Sequence, residues 1–180
     1  MTDVLQADGE VLDAKTVRFQ RLLPGPIERV WAYLTEAEKR ATWFAGGEIE
    51  PRVGGKRTLH FRHADLMQPG ETAPEKYRQV VDGFASNGRV TRYEPPRALA
   101  FTWGKEGAES EVVFELAPQG EKVLLTLTHR KIVSREDMVN FSGGWHLHLM
   151  VLEHVLEGTR PPRFWDTHAE LDAKYEKLIP

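Results

Sequence analysis

The chain has no cysteine, which removes disulfide bridges, thiolate nucleophiles and cysteine-held metal from consideration. It has no excess of one charge either. Its 24 lysines and arginines stand against 27 aspartates and glutamates, a formal net charge of −3, and no basic stripe marks a face that could follow a phosphate backbone. Nucleic acid is therefore not an expected partner. No stretch approaches the roughly 20 consecutive apolar residues of a membrane-spanning helix. The opening run from Met1 to Asp13 carries Asp3, Asp8, Glu10 and Asp13 and lacks the apolar core of a secretory signal, so a cytoplasmic protein is expected. Phosphate loops, dinucleotide fingerprints and nucleophile elbows are also missing. Gly54-Gly55 and Gly143-Gly144 lack the spacing and the strand-to-helix setting that those motifs need, and no cofactor is expected.

What the chain does have is enough apolar material for one good core: 180 residues, 41% apolar, predict a single domain. Residues 1–16 read as a flexible extension, 17–158 as the domain, and 159–180 as a carboxy-terminal extension with a short helix packed on it. The clearest element is Ser142 to Gly158, where Trp145, Leu149, Leu152, Val155 and Leu156 keep helical spacing. Before it come short segments of alternating apolar and polar residues, which need such a helix laid across them to bury their apolar face. An α+β fold follows, a curved antiparallel sheet gripping a long helix.

In chain order, Val17, Phe19 and Leu22 open a strand. Pro26 then precedes Ile27, Val30, Trp31 and Leu34 at helical spacing. Thr35 and Glu38 have capping-box spacing and predict a second short helix ending near Trp43. Gly54-Gly55 predicts a hairpin turn joining a strand through Ile49 to one carrying Leu59 and Phe61. Within 65–87, Thr72, Pro74 and Glu75 followed by Tyr77, Val80, Val81 and Phe84 predict an inserted short helix. From Gly88 four sequential strands follow, through Val90, through Leu99 to Trp103, through Val112 to Leu116, and through Val123 to His129, with turns at Pro95-Pro96 and Gln119-Gly120. After Pro161-Pro162, a last helix starting at Thr167 with Glu170 as capping partner should bury Leu171, Tyr175 and Leu178.

Pro26-Ile-Glu-Arg-Val-Trp31, Trp43-Phe44, Val53-Gly-Gly55, Gly88-Arg-Val90, Tyr93-Glu-Pro-Pro96, Leu99 to Trp103, Leu125-Thr-Leu-Thr-His129 and Gly144-Trp145 fall in one order along the chain. As a set, over roughly residues 17–158, they resemble the activator-of-heat-shock-protein-90-ATPase-like family of the steroid-transfer and pollen-allergen superfamily. The resemblance implies a helix-grip fold: about six to seven strands wrapped around a long carboxy-terminal helix, with two short helices after the first strand. It does not fix a function, because that superfamily places lipid carriers, cyclases, ligand binders and chaperone regulators on one scaffold.

Seven histidines raise the question of metal, which geometry answers in the negative. His146 and His148 lie about 200° apart around a helix, and His60 and His63 point to opposite faces of a strand. His148 falls inside the apolar arc of the long helix, and His129 shares parity with Leu125 and Leu127, so both imidazoles point inward. Each either satisfies a carbonyl or a buried water, or meets a polar group of a ligand. Trp43, Phe61, Trp103 and Trp145 converge on the same space as Leu149 and Leu152, either filling it or walling a cavity for an apolar or aromatic molecule. Arg57, Arg62, Arg89 and Arg92 read as a solvated outer sheet face. Ser142 near His146 lacks an orienting acid for nucleophilic chemistry.

The expected site is thus Trp43, Phe61, Trp103, His129, Trp145, His148, Leu149 and Leu152, with no catalytic residue and no metal ligand. The leading reading is a non-catalytic binder of a small hydrophobic or aromatic molecule, monomeric or homodimeric. The alternatives are a cyclase- or dehydratase-like enzyme using His129 or His148, and a chaperone-regulating module that uses its surface on a protein partner.

Overall fold

The computed structural model describes residues 7–180. One seven-stranded sheet runs, edge to edge, through β1 (Glu10–Asp13), β2 (Thr16–Pro24), β7 (Lys122–Arg130), β6 (Ser110–Gln119), β5 (Ala98–Trp103), β4 (Phe84–Glu94) and β3 (Lys56–Phe61). All neighbours are antiparallel. Two short helices, α1 (Ile27–Thr35) and α2 (Ala37–Ala41), connect β2 to β3, and α3 (Arg135–Glu157) and α4 (Phe164–Leu178) close the chain.

Alternation in the strands builds the inner face. The register aligns Val17 with His129, His129 with Val112, Val112 with Phe101 and Phe101 with Val90, one inward row across five strands. The next row joins Phe19, Leu127, Phe114 and Leu99. All are buried, since parity fixes which face each residue takes. Across these rows lies α3. Ser134 caps it, Oγ accepting from Asp137 N at 3.1 Å, and Gly158, at φ 72°, ends it in the left-handed region. Trp145, Leu149, Leu152 and Leu156 are buried with the sheet residues in one core. Among the described residues, no helix is long and apolar enough to cross a membrane.

Several expectations are corrected. Residues 1–6 of the stretch read as a flexible extension lie outside the described residues, but Glu10–Asp13 is an edge strand paired to β2. Its entry is tied down where Gly9 N donates to Tyr175 Oη at 2.7 Å. A side chain at Gly9 would collide with the Phe19 ring, 2.5 Å from Cζ. Leu22 faces outward, 40% exposed, because Val17, Phe19 and Leu23 take the inner parity. The capping box at Thr35 does not form: Thr35 Oγ1 donates back to Trp31 O, and Glu36 occupies the cap position. Ile49 and Gly46 make only isolated bridges to Arg57 and His60.

The helix expected within 65–87 is absent. His63–Leu66 and Glu75–Tyr77 are single 3₁₀ turns, and Phe84 already belongs to β4, paired with Phe61. Cross-strand pairing outcompetes a helix interrupted by Gly83. His63 therefore sits in a turn beyond β3 and not on a strand. The last helix begins at Phe164, ahead of Thr167, and leaves Leu178 53% exposed.

Truncating Leu152 to Ala, inside the grip, should destabilise the protein by about 2–5 kcal/mol, whereas Leu178→Ala should change stability by less than about 0.5 kcal/mol. Urea melts of both variants check this, and equal losses would contradict the packing.

Candidate functional site

The eight expected residues do gather. Trp43 stacks on Phe44 at 5.3 Å, and Phe44 meets Trp145 at 4.9 Å, Phe61 at 5.1 Å, Trp103 at 6.1 Å and His148 at 5.2 Å between ring centroids. Leu149 and Leu152 are fully buried in the same core. Phe44, at the centre, is absent from the expected set although Trp43 next to it is included. Two surface concavities are lined by none of these rings. One, about 620 Å³, opens beside Lys56, Thr58, Asn87 and Arg89 on the outer face of the sheet, and the other, about 480 Å³, lies between Val11, Val133, Met138 and Ile179.

At the Trp103 end the polar groups satisfy one another. Trp145 Nε1 donates to His129 Nδ1 at 3.0 Å, so the imidazole proton sits on Nε2 and is donated to Ser110 Oγ at 2.7 Å. The serine hydroxyl in turn donates to Trp103 O at 3.2 Å. Phe141 stacks on the imidazole at 4.4 Å. Burial pushes His129 down to about 3. No carboxylate joins this chain, and His129 is a bonded core histidine here.

Two buried arginines border the cluster. Arg40 donates to the carbonyls of Leu34, Thr35, Ala45, Gly46 and Gly47, pinning the loop that carries Trp43 and Phe44. Arg57, expected on the outer face, is 0% exposed, because it shares parity with Leu59 and Phe61. Its guanidinium crosses Gly88, donates to Ser86 O and Thr102 O at 3.0 and 2.9 Å, and lies over the rings of Phe101 and Trp103. Burial, aided by Arg40, lowers its pKa to about 10.

The other end is different. His148 Nδ1 donates to Trp43 O at 2.8 Å; since a carbonyl only accepts, Nε2 of the neutral ring is a bare lone pair. Around the His148 ring stand His63 at 5.7 Å and Phe164 at 5.8 Å, with Trp165 5.7 Å and Phe84 5.8 Å from His63, all between ring centroids. Burial pushes His148 to about 3 and His63 to about 4, the first helped by His63 and the second by His168. Two nitrogens in this aromatic box, His63 Nδ1 and Trp165 Nε1, are buried without a hydrogen-bond partner.

A cover formed by residues 62–83 and the start of α4 closes the box. Glu71 holds it: Oε2 accepts from Phe164 N at 3.0 Å and Oε1 from Trp165 N at 2.8 Å, a carboxylate on the free amides of a helix N-terminus. Tyr77 stacks on Trp165 at 5.0 Å. Neither His63, Phe164 nor Trp165 belongs to the expected site, because one lies in an irregular turn and the others at a helix start set from a distant segment. Among the described residues, no group of three His, Asp or Glu side chains is placed to share a metal ion.

The buried histidines set a pH dependence. Their folded pKa values lie below the ordinary 6.5, so below that pH the unfolded chain takes up protons that the folded chain refuses. Stability is full above pH 6.5 and falls as pH drops toward 4, by about 1.4 kcal/mol per pH unit for each such group. Urea melts between pH 7 and pH 5 should show this slope, and His129→Gln should flatten it by one proton's share. An unchanged slope in the variant would contradict the assignment.

Comparison with known proteins places this geometry. The family model described as activator of Hsp90 ATPase homolog 1-like protein matches residues 24–157. The solution structure of the protein encoded by gene BPP1335 of Bordetella parapertussis is 48% identical, covers 96% of this chain and 91% of its own, and superposes with a TM-score of 0.82. CalU16 from Micromonospora echinospora shares the fold at 23% identity, with 96% and 94% of the two chains covered and a TM-score of 0.67. So does the Aha1 dimer from Colwellia psychrerythraea, at 17% identity, 79% and 96% coverage and a TM-score of 0.58. No curated protein matches the chain.

Proposed function

The chain belongs to the activator of Hsp90 ATPase homolog 1-like family, and from that premise we propose that it is a non-catalytic binding protein for a small hydrophobic or aromatic molecule, held at the His63–His148–Trp165 end of the interior. One observation carries this: the two unpartnered, buried nitrogens of His63 and Trp165 sit in a box otherwise made of rings. Leaving such groups without partners costs about 1–3 kcal/mol each, and a bound molecule supplies the partners. The cover also suits entry. Residues 62–83 hold only two 3₁₀ turns, so moving them breaks fewer backbone bonds than moving any strand.

The way the two inward histidines are held supports the non-catalytic reading. His129 is engaged by Trp145 and Ser110, and His148 by a backbone carbonyl; neither imidazole is held by a carboxylate that could stabilise its protonated form. The Trp103–Trp145 end, expected to wall the ligand, serves as the floor.

An NMR titration with 2-naphthol tests the proposal. Amide shifts should concentrate at Phe61, His63, His148 and Phe164, and Phe164→Ala should weaken binding by about 5–10-fold, the share of one aromatic wall. Binding absent at millimolar probe, or shifts confined to the groove beside Val11 and Val133, would sink this reading in favour of a surface used on a protein partner.

A further inference from the structure

Resting on the ligand-binding reading above, we propose that the box selects a neutral hydroxylated aromatic molecule, a phenol or naphthol, whose hydroxyl accepts from Trp165 Nε1 and donates to His148 Nε2. The polar inventory of the box is short and its directions are fixed. Trp165 Nε1–H is a donor only, buried and without a partner. His148 has its proton committed to Trp43 O, which leaves Nε2 as an acceptor only. His63, its ring 5.7 Å from each of the other two, has a buried Nδ1 without a partner and can serve either way by choice of tautomer.

A ligand that satisfies both fixed groups must offer an acceptor to the indole and a donor to the imidazole. A hydroxyl does both with one atom. A hydrocarbon does neither and leaves both groups unpaired. A carboxylate offers acceptors alone, so it meets the lone pair of His148 with its own, and the histidines cannot compensate by protonating in so dry a site. Arg57 does not pair with it, being held over Phe101 and Trp103 with its Nη donors engaged by Ser86 and Thr102. The rings of Phe61, Phe84 and Phe164 supply flat apolar contact for the ligand's ring, and Phe84, 40% exposed, stands at the rim.

Three probes of one shape separate the possibilities: 2-naphthol, 2-methylnaphthalene and 2-naphthoate at pH 7, titrated into the full chain by calorimetry and NMR. The naphthol should bind about tenfold tighter than the methyl compound, the worth of one to two neutral hydrogen bonds, and the naphthoate weakest of all. The indole Nε1–H resonance of Trp165 should move downfield with naphthol and not with methylnaphthalene, a reading that needs no variant. Trp165→Phe should erase the preference for naphthol, bringing the ratio of the naphthol and methylnaphthalene affinities to about one. Equal affinity for naphthol and methylnaphthalene overturns the hydroxyl assignment and leaves the binding reading standing. A naphthoate that binds tightest, or a preference that survives Trp165→Phe, overturns it as well. If none of the three binds, the binding reading itself fails and takes this assignment with it.

Discussion

One face of a twisted antiparallel sheet must be dried, and α3 is the element that dries it. Two inward rows, Val17 through Val90 and Phe19 through Leu99, present a continuous apolar surface across five strands, too large to leave in water. Trp145 reaches that surface with the widest side chain on the helix, and its indole nitrogen has to find an acceptor there. His129 provides it, Ser110 completes the chain, and the imidazole is thereby kept neutral. The histidine that chemistry would single out is thus a consequence of burying a tryptophan.

A single straight helix cannot fill a curved sheet from end to end. Beside His148 the chain completes the enclosure with irregular material: the loop bearing Trp43 and Phe44, fastened by Arg40, and the segment 62–83 fastened to α4 by Glu71. The two ends differ in kind. The floor is closed by regular strands and the bonded chain of Trp145, His129, Ser110 and Trp103, with Arg57 Nε unpartnered beside it, while the cover is irregular, bonded at a few points, and leaves both His63 Nδ1 and Trp165 Nε1 without partners. That asymmetry, more than the identity of any ring, locates the candidate site.

Much of the fold was legible in the sequence because strands and helices write their burial as period. Leu99, Phe101 and Trp103, or Leu125, Leu127 and His129, announce their face directly, and the matched helical arc of α3 follows. Parity also held the answer for Arg57, which alternates in step with Leu59 and Phe61; its charge suggested the solvent face, and cation–π contact with Phe101 and Trp103 overrides that expectation. The segment 65–87 misleads for the opposite reason, since capping-box spacing and helical spacing coincide there while Phe84 is taken by pairing with Phe61. The site was only half legible. Trp43, Phe61 and His148 carry signals of parity or arc, but the start of α4 is set by Glu71 from 93 residues away, and no local pattern records that.

The central claim is that the interior is closed at one end and openable at the other, and native-state hydrogen exchange at the tryptophan indoles measures it most directly. Trp145 Nε1–H is bonded to His129, and Trp43 Nε1–H to Tyr33 O at 2.8 Å; both should exchange only through global unfolding. Trp165 Nε1–H, buried under the cover without a partner, should exchange by local opening of residues 62–83, on the order of 100-fold faster. A Trp165 indole proton as slow as that of Trp145 would show the cover to be as rigid as the floor and would contradict the account.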